Sequence, residues 1–541
     1  MSSEPELSHP QHDSAVDLDV LVVGAGLSGI AMGHYLKTQL PGRSFLLLDA
    51  RDRIGGTWDL FRYPGIRSDS DLQTYAYAFK PWAHDSAIAD GADILDYLAE
   101  AVDDDELAPN IRFGHKVLSA DFSTEQARWT VRVQVANDRI VTMTCRFLFS
   151  AAGYYSYEQA HAPHFDGQEN FAGQIVHPQF WPEDLDYRDR RVVVIGSGAT
   201  AVTLVPAMAA TAARVIMLQR SPSYVLPLPG TDYLAVALRT VLPGTTAYRV
   251  ARRLNIARQR FLWELSTRHP TVTRRMIRAV NKALLPRGYE VDVHFNPRYD
   301  PWDERLCAVR DGDLFRAIRE GRAEVVTDHI DRFLEHGIAL TSGRRIDADI
   351  VVTATGLRLL PFGGIQLSKD GAPIDVGRTM AFKGMMLSGV PNFAYAIGYT
   401  NSSWTLKLDL VCEHLCRLLR LLDERGYDTV EPVADRSVEH RPMLDFHAGY
   451  VRRAADALPK QGTSGPWTVT MTYASDLARL RNGPVDDPAL KFSRQNTDSA
   501  VTTHRTPPAV PEIMVTDTVD NRELTRTDRA PRRDARPQSA R

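Results

Sequence analysis

From Asp17 onward, short runs of Val, Ile and Leu alternate with longer stretches whose apolar residues recur at helical spacing. Six runs predict buried strands: Val20–Val23, Phe45–Leu48, Phe147–Ser150, Val192–Ile195, Val215–Leu218 and Ile350–Thr353. Strand and helix in alternation predict an α/β fold. Twice a strand run leads into clustered glycines and then a helical stretch, at Val20–Leu36 and at Val192–Ala213. Both stretches lack charge, and the second is long enough to span a bilayer. Its glycines and Pro206 make it strand, turn and helix instead. Thr405–Glu424 predicts an amphipathic helix with Leu406, Val411, Leu415, Leu418, Leu419 and Leu422 on one broad face. The stretch Tyr224–Tyr289 breaks the alternation. It is mostly helical in pattern and carries Arg249, Arg252, Arg253, Arg258, Arg260, Arg274, Arg275 and Arg278. It reads as an insertion with solvated basic faces, and contact with an anionic membrane surface is the other reading.

Composition narrows the class. Of 541 residues, 44% are hydrophobic and 24% charged, as in ordinary globular chains. Lys and Arg number 64 against 67 Asp and Glu, a formal charge of -3 that argues against nucleic acid as a partner. Four cysteines, Cys145, Cys307, Cys412 and Cys416, make no disulfide scaffold, so a cytoplasmic location is expected. Cys412 and Cys416 fit core packing, and no metal site is expected. The start is polar and acidic, without the apolar stretch of a secretory signal. Residues 1–16 read as a loose leader. The tail from Thr497 to Arg541 has no aromatic residue and reads as disordered.

The two glycine clusters carry the first chemistry. Gly24, Gly26 and Gly29 form G-x-G-x-x-G between strand and helix, where the helix N-terminus offers free N–H groups to a pyrophosphate. Asp49 follows 20 residues later at the end of the next strand, placed to hold a ribose. Gly196, Gly198 and Ala201 repeat the pattern. There Arg220, with Ser221 beside it, takes the place of the carboxylate. A guanidinium clamps a 2′-phosphate that a carboxylate would repel, so this site should prefer NADPH. Two dinucleotide sites imply an electron relay through a flavin. No Cys pair lies near the flavin site, which leaves oxygen or a quinone as acceptor.

Two long motifs then point to a family. Gly55–Asp69 reads GGTWDLFRYPGIRSD, and Phe171–Pro182 reads FAGQIVHPQFWP. With them the chain resembles class B flavoprotein monooxygenases, and Trp181-Pro182 places the resemblance in the Baeyer–Villiger branch. Within that branch, NPRYDPWDERLC, KGMMLSG and PNFAYAIGYTNSSWTLK resemble the ethionamide-activating group. The resemblance implies two Rossmann-like domains, for FAD and NADPH, with the helical insertion. Boundaries are expected at 17–156 and 351–496 for the FAD domain and 157–350 for the NADPH domain.

It also implies an activity. NADPH and O2 would be consumed to oxidise a ketone to an ester or lactone through a 4a-peroxyflavin, with oxygenation of thioethers and thioamides as a side activity. An N- or S-oxygenating enzyme and a flavin reductase are the rivals. By the same resemblance Arg305, in PWDERLC, and Asp69 are the catalytic pair, with helix capping as the alternative role for Asp69. Thr57 and Trp58 are expected beside the flavin, with packing of a linker on the core as the alternative for Trp58. Tyr63 either lines the flavin edge or packs a linker on the core. His177 and Trp181 act by positioning the domains rather than by proton transfer.

Overall fold

The computed structural model describes residues 16–304, 306–435, 437–444 and 449–495. The predicted leader and tail fall outside these, except Val16, which opens the first strand. Strand β1 (Val16–Val23) is followed by helix α1 (Leu27–Gln39) and strand β2 (Phe45–Leu48), and β3 (Ile140–Ser150) returns beside β1. β1 runs parallel to both neighbours, with Val20 opposite Phe45 on one side and Phe147 on the other. The first half of β3 pairs antiparallel with Arg128–Gln134, and its end pairs parallel with Phe393–Tyr395, within a nine-stranded sheet. Side chains of β1 alternate between two cores. Val20 and Val22 enter one, Leu21 and Val23 the other. Burial on both faces is why the run is apolar throughout.

The second unit repeats the plan. Strand β4 (Arg191–Ile195), helix α2 (Ala199–Met208) and strand β5 (Arg214–Gln219) join an all-parallel five-stranded sheet with Ala323–Thr327 and Gln174–Val176. The insertion holds three helices, α3 (Tyr233–Val241), α4 (Gly244–Arg268) and α5 (Pro270–Leu284). Strand β6 (Ile350–Thr353) lies beside β4 in this second sheet. There it lies between β4 and Gln174–Val176, parallel to both.

Two expectations change. Helix α6 (Trp404–Arg425) is buried on nearly all sides, not on one broad face. Two of its buried charges are paired inside: Lys407 with Asp476 at 3.4 Å and Asp409 with Arg252 at 3.1 Å. Likewise Arg252 is no surface residue. It is buried and donates to the carbonyls of Gln73, Thr74 and Ala76, tying α4 to the first unit. Cys412 and Cys416 are free thiols in the core, as the pattern suggested.

Candidate functional site

Each glycine cluster forms a turn that only glycine fits. Gly24 has φ +107°, and a Cβ there would sit 2.7 Å from the Ala151 carbonyl oxygen. A Cβ on Gly29 would lie 1.8 Å from the Gly24 carbonyl oxygen, so this residue lets α1 pack on the turn. Gly26 faces Gly56 of the Gly55–Asp69 motif, backbone against backbone. Helix α1 starts at Gly26 with no side-chain cap, leaving its first N–H groups for an anion. Asp49 accepts from the Ala25 N–H at 2.7 Å and the Arg51 N–H at 2.9 Å. Burial still pushes its carboxyl up. The acid thus stands directly at the turn it was expected to serve.

The second turn matches. Gly196 packs against Ala354 of the return loop, helix α2 starts uncapped at Gly198, and the space around Gly198 is open. Ala201 is buried beneath it. Arg220 is exposed at the end of β5 and has no ion pair among the described residues. The backbone oxygen of Ser221 accepts from Ser197 Oγ at 3.2 Å, which holds the strand end to the glycine turn. An uncapped helix, an open glycine and a free guanidinium fit a phosphorylated dinucleotide.

The Gly55–Asp69 motif runs from one unit to the other. Thr57 Oγ1 lies 3.3 Å from the Tyr157 hydroxyl, and Trp58 Nε1 donates to the Tyr75 hydroxyl at 2.7 Å. Asp59, which pattern alone did not single out, is 2% exposed and held by Arg51 and Arg62. Phe61 and Tyr63 are buried in the core of the second unit, so Tyr63 packs the junction. Gly65, at φ +79°, lies where a Cβ would come within 2.7 Å of the Thr203 carbonyl of α2. Arg67 closes the crossing with a two-armed ion pair to Asp313, at 2.5 and 3.2 Å.

Asp69 is exposed, with Ser70 Oγ 3.4 Å away. It does not cap the following helix, Leu72–Tyr75. Asp71 does, accepting from the Thr74 N–H at 3.1 Å. Asp71 also binds Asn255 and Gln259 of α4, and Gln259 accepts from Ser402 at 2.8 Å. This buried network joins the motif, the insertion and the loop before α6. Single-sequence pattern offered no signal for it, since its members are far apart in the chain. Trp404 Nε1 donates to Ser28 Oγ, at 3.0 Å, in the first turn of α1. Arg305 lies outside the described residues. Nearby, Trp302 stands at φ +78° with its indole N–H buried and unpartnered among the described residues.

The second motif also sits at the junction. His177 Nδ1 accepts from the Gln179 N–H at 3.1 Å, so a neutral ring carries its proton on Nε2. Burial holds His177 below its ordinary value, and the Gly356 backbone offsets part of that. Gln179 donates to the carbonyls of Ser156 and Tyr157, at 2.8 and 3.0 Å. Trp181 packs on the core of the second unit, edge-on to Tyr187.

Residues 22–87 match the model for an NAD(P)-binding Rossmann-like domain, and residues 73–232 that for flavin-binding monooxygenase-like proteins. FAD-containing monooxygenase EthA of Mycobacterium tuberculosis is 50% identical over 482 residues, covering 88% of this chain and 98% of that protein. The chain belongs to the FAD-containing monooxygenase family. It is therefore a flavoprotein oxidoreductase that draws on FAD and a nicotinamide dinucleotide. The probable FAD-binding monooxygenase AlmA of an Acinetobacter species is 45% identical, over 89% of this chain and 98% of its own. In fold, the monooxygenase is similar to an oxidized steroid monooxygenase bound to NADP, with TM-score 0.71 and 23% identity over 88% of this chain and all of that one. An open cyclohexanone monooxygenase gives TM-score 0.69 at 20% identity, with the same coverage of both chains. No described helix is long and apolar enough to cross a membrane.

Proposed function

We propose that this monooxygenase performs Baeyer–Villiger oxidation: ketone, NADPH, O2 and a proton give an ester or lactone, NADP+ and water. Thioether and thioamide oxygenation is the side activity. One observation carries the reading most. Both family motifs lie at the junction of the two nucleotide units, where their residues set how the units meet. In this reading FAD lies along the first glycine turn, with Asp49, Thr57 and Trp58 beside it. NADPH lies along the second, its 2′-phosphate on Arg220 and Ser221.

FAD, when bound, supplies the oxygen-activating chemistry. The protein's part is to orient the cofactors, exclude water and fix a positive charge near the reacting oxygen. Arg305 carries that charge and Asp69 positions it. His177, kept neutral by burial, moves no proton; with Trp181 and Gln179 it sets the angle between the units. Peripheral membrane contact through 224–289 belongs to the same proposal.

The test is mass spectrometry of products from NADPH, labelled O2, a medium-chain 2-ketone and a thioether in one vessel. A labelled ester with one new oxygen is expected. A labelled sulfoxide with the ketone untouched would favour heteroatom oxygenation. The Arg305→Ala variant should still reduce flavin yet form no ester; retained ester formation would reassign the charge.

A further inference from the structure

The helical insertion carries apolar side chains on its outer surface as well as its inner one. On α5, Val272, Met276 and Val280 recur at four-residue spacing on one face, and they are 48%, 55% and 39% exposed. Ala279 and Ala283 lie on the same exposed face. The opposite face buries Ile277 together with polar groups. There Asn281 is buried, Arg274 binds Asn296, and Arg278 holds Asp292. Helix α4 adds Leu254, Phe261 and Leu262, all exposed, with Phe261 at 64%. Phe261 and Leu262 lie about two turns before the corner at His269, and Val272 and Met276 within two turns after it. Ten of the molecule's 14 exposed large apolar side chains among the described residues fall between Tyr233 and Val293.

The charge beside these side chains is one-sided. Between Gly244 and Leu284 the chain carries nine arginines, one lysine and a single glutamate, in a protein of formal charge -3. Arg249, Arg253, Arg275 and Lys282 are exposed and have no ion pair among the described residues. Arg275 and Lys282 flank the apolar stripe of α5. Apolar side chains rimmed by unpaired cations match the boundary of an anionic bilayer, where acyl chains meet phosphate groups. A second copy of this chain matches poorly. A two-fold contact would press two strongly basic faces together.

We infer that the outward faces of α4 and α5 dock this enzyme on anionic lipid. Phe261, Leu262, Val272 and Met276 enter the headgroup boundary, and Arg249, Arg253, Arg275 and Lys282 contact phosphates. This deepens the proposed membrane contact and rests on it, by naming the face and the side chains that meet the lipid.

Flotation of the full FAD-loaded chain tests it, with vesicles of phosphatidylcholine alone and of an equal mixture with phosphatidylglycerol. The chain should float with the mixed vesicles only. Arg275→Ala and Lys282→Ala should each weaken partitioning roughly fivefold, and high salt should act in the same direction. Met276→Asp should release the protein while its flavin absorbance and its turnover of a short soluble ketone stay unchanged. Absence of flotation, or flotation indifferent to these substitutions, overturns the inference. So does a dimer broken by Met276→Asp in a chain that ignores vesicles, which would give the face to a second copy. Turnover is read in the same samples. Flotation without ester formation leaves the surface standing and sinks the Baeyer–Villiger proposal; ester formation without flotation does the reverse.

Discussion

Arg220 shows what one residue decides. At the end of β5 it stands where the first unit has Asp49, and it is exposed with no partner among the described residues. Its position relative to the second glycine turn was legible in the sequence, because the strand–turn–helix unit sets the chain length between them. The Arg220→Ala variant should raise the NADPH Michaelis constant roughly 10- to 100-fold, the worth of a charge-assisted phosphate contact. That for NADH should barely move. Steady-state kinetics with both cofactors checks this, and equal effects would remove the 2′-phosphate role. Asp69 and Asp71 teach the opposite lesson. Two carboxylates two residues apart look alike in sequence, yet only Asp71 turns inward to cap a helix and bind α4. Backbone direction separates them, and backbone direction is not written in composition.

At the scale of elements, the least expected piece is the seam between α4 and α6. Arg252 and Asp409 form a buried ion pair, and Arg252 also caps three carbonyls of 73–76. Removing one partner strands the other charge, at about 3–5 kcal/mol. Arg252→Met should therefore lower the unfolding midpoint by several degrees in a thermal melt. An unchanged melt would mean that α4 is held by its apolar contacts alone.

The same seam predicts a pH dependence. Burial outweighs the pull of Arg252 and raises the Asp409 carboxyl from 3.8 to about 6. A raised folded-state value means the fold binds a proton that the unfolded chain has released. Its stability contribution is thus full below pH 4 and falls as pH rises to about 6. The difference in unfolding free energy between wild type and Asp409→Asn should fall across that window and flatten above it. A difference that stays level with pH would show Asp409 ionised throughout. An arginine-rich helix face suggests solvated surface from sequence. Arg252 escapes that expectation because its partners lie some 157–179 positions away in the chain.

Across the whole molecule, the Gly55–Asp69 segment couples the units. Phe61 and Tyr63 fill the second core, and Gly65 permits close approach to α2. Gly65→Ala adds a Cβ in a left-handed conformation against a carbonyl oxygen, at roughly 1–3 kcal/mol. FAD binding should survive, while flavin reduction by NADPH slows in stopped-flow measurements. Unaltered reduction would mean that the contact is packing without consequence for hydride delivery.

The local chemistry of this protein is determined by the sequence itself. Strand runs buried on both faces must be apolar throughout, and a phosphate-binding turn must be glycine where a Cβ would strike a carbonyl. Both leave a local signature, an unbroken apolar run and glycines at fixed spacing, so pattern alone exposes them, although the carbonyl that Gly24 must avoid belongs to distant Ala151. Tertiary structure decided what depends on distant partners: that α6 is enclosed, that β6 completes the second sheet, that Arg252 is buried, and that Asp71 joins three segments. It also decided which way α5 faces. Periodicity reports that a helix has an apolar stripe, but only the packing of its neighbours shows that this stripe points outward.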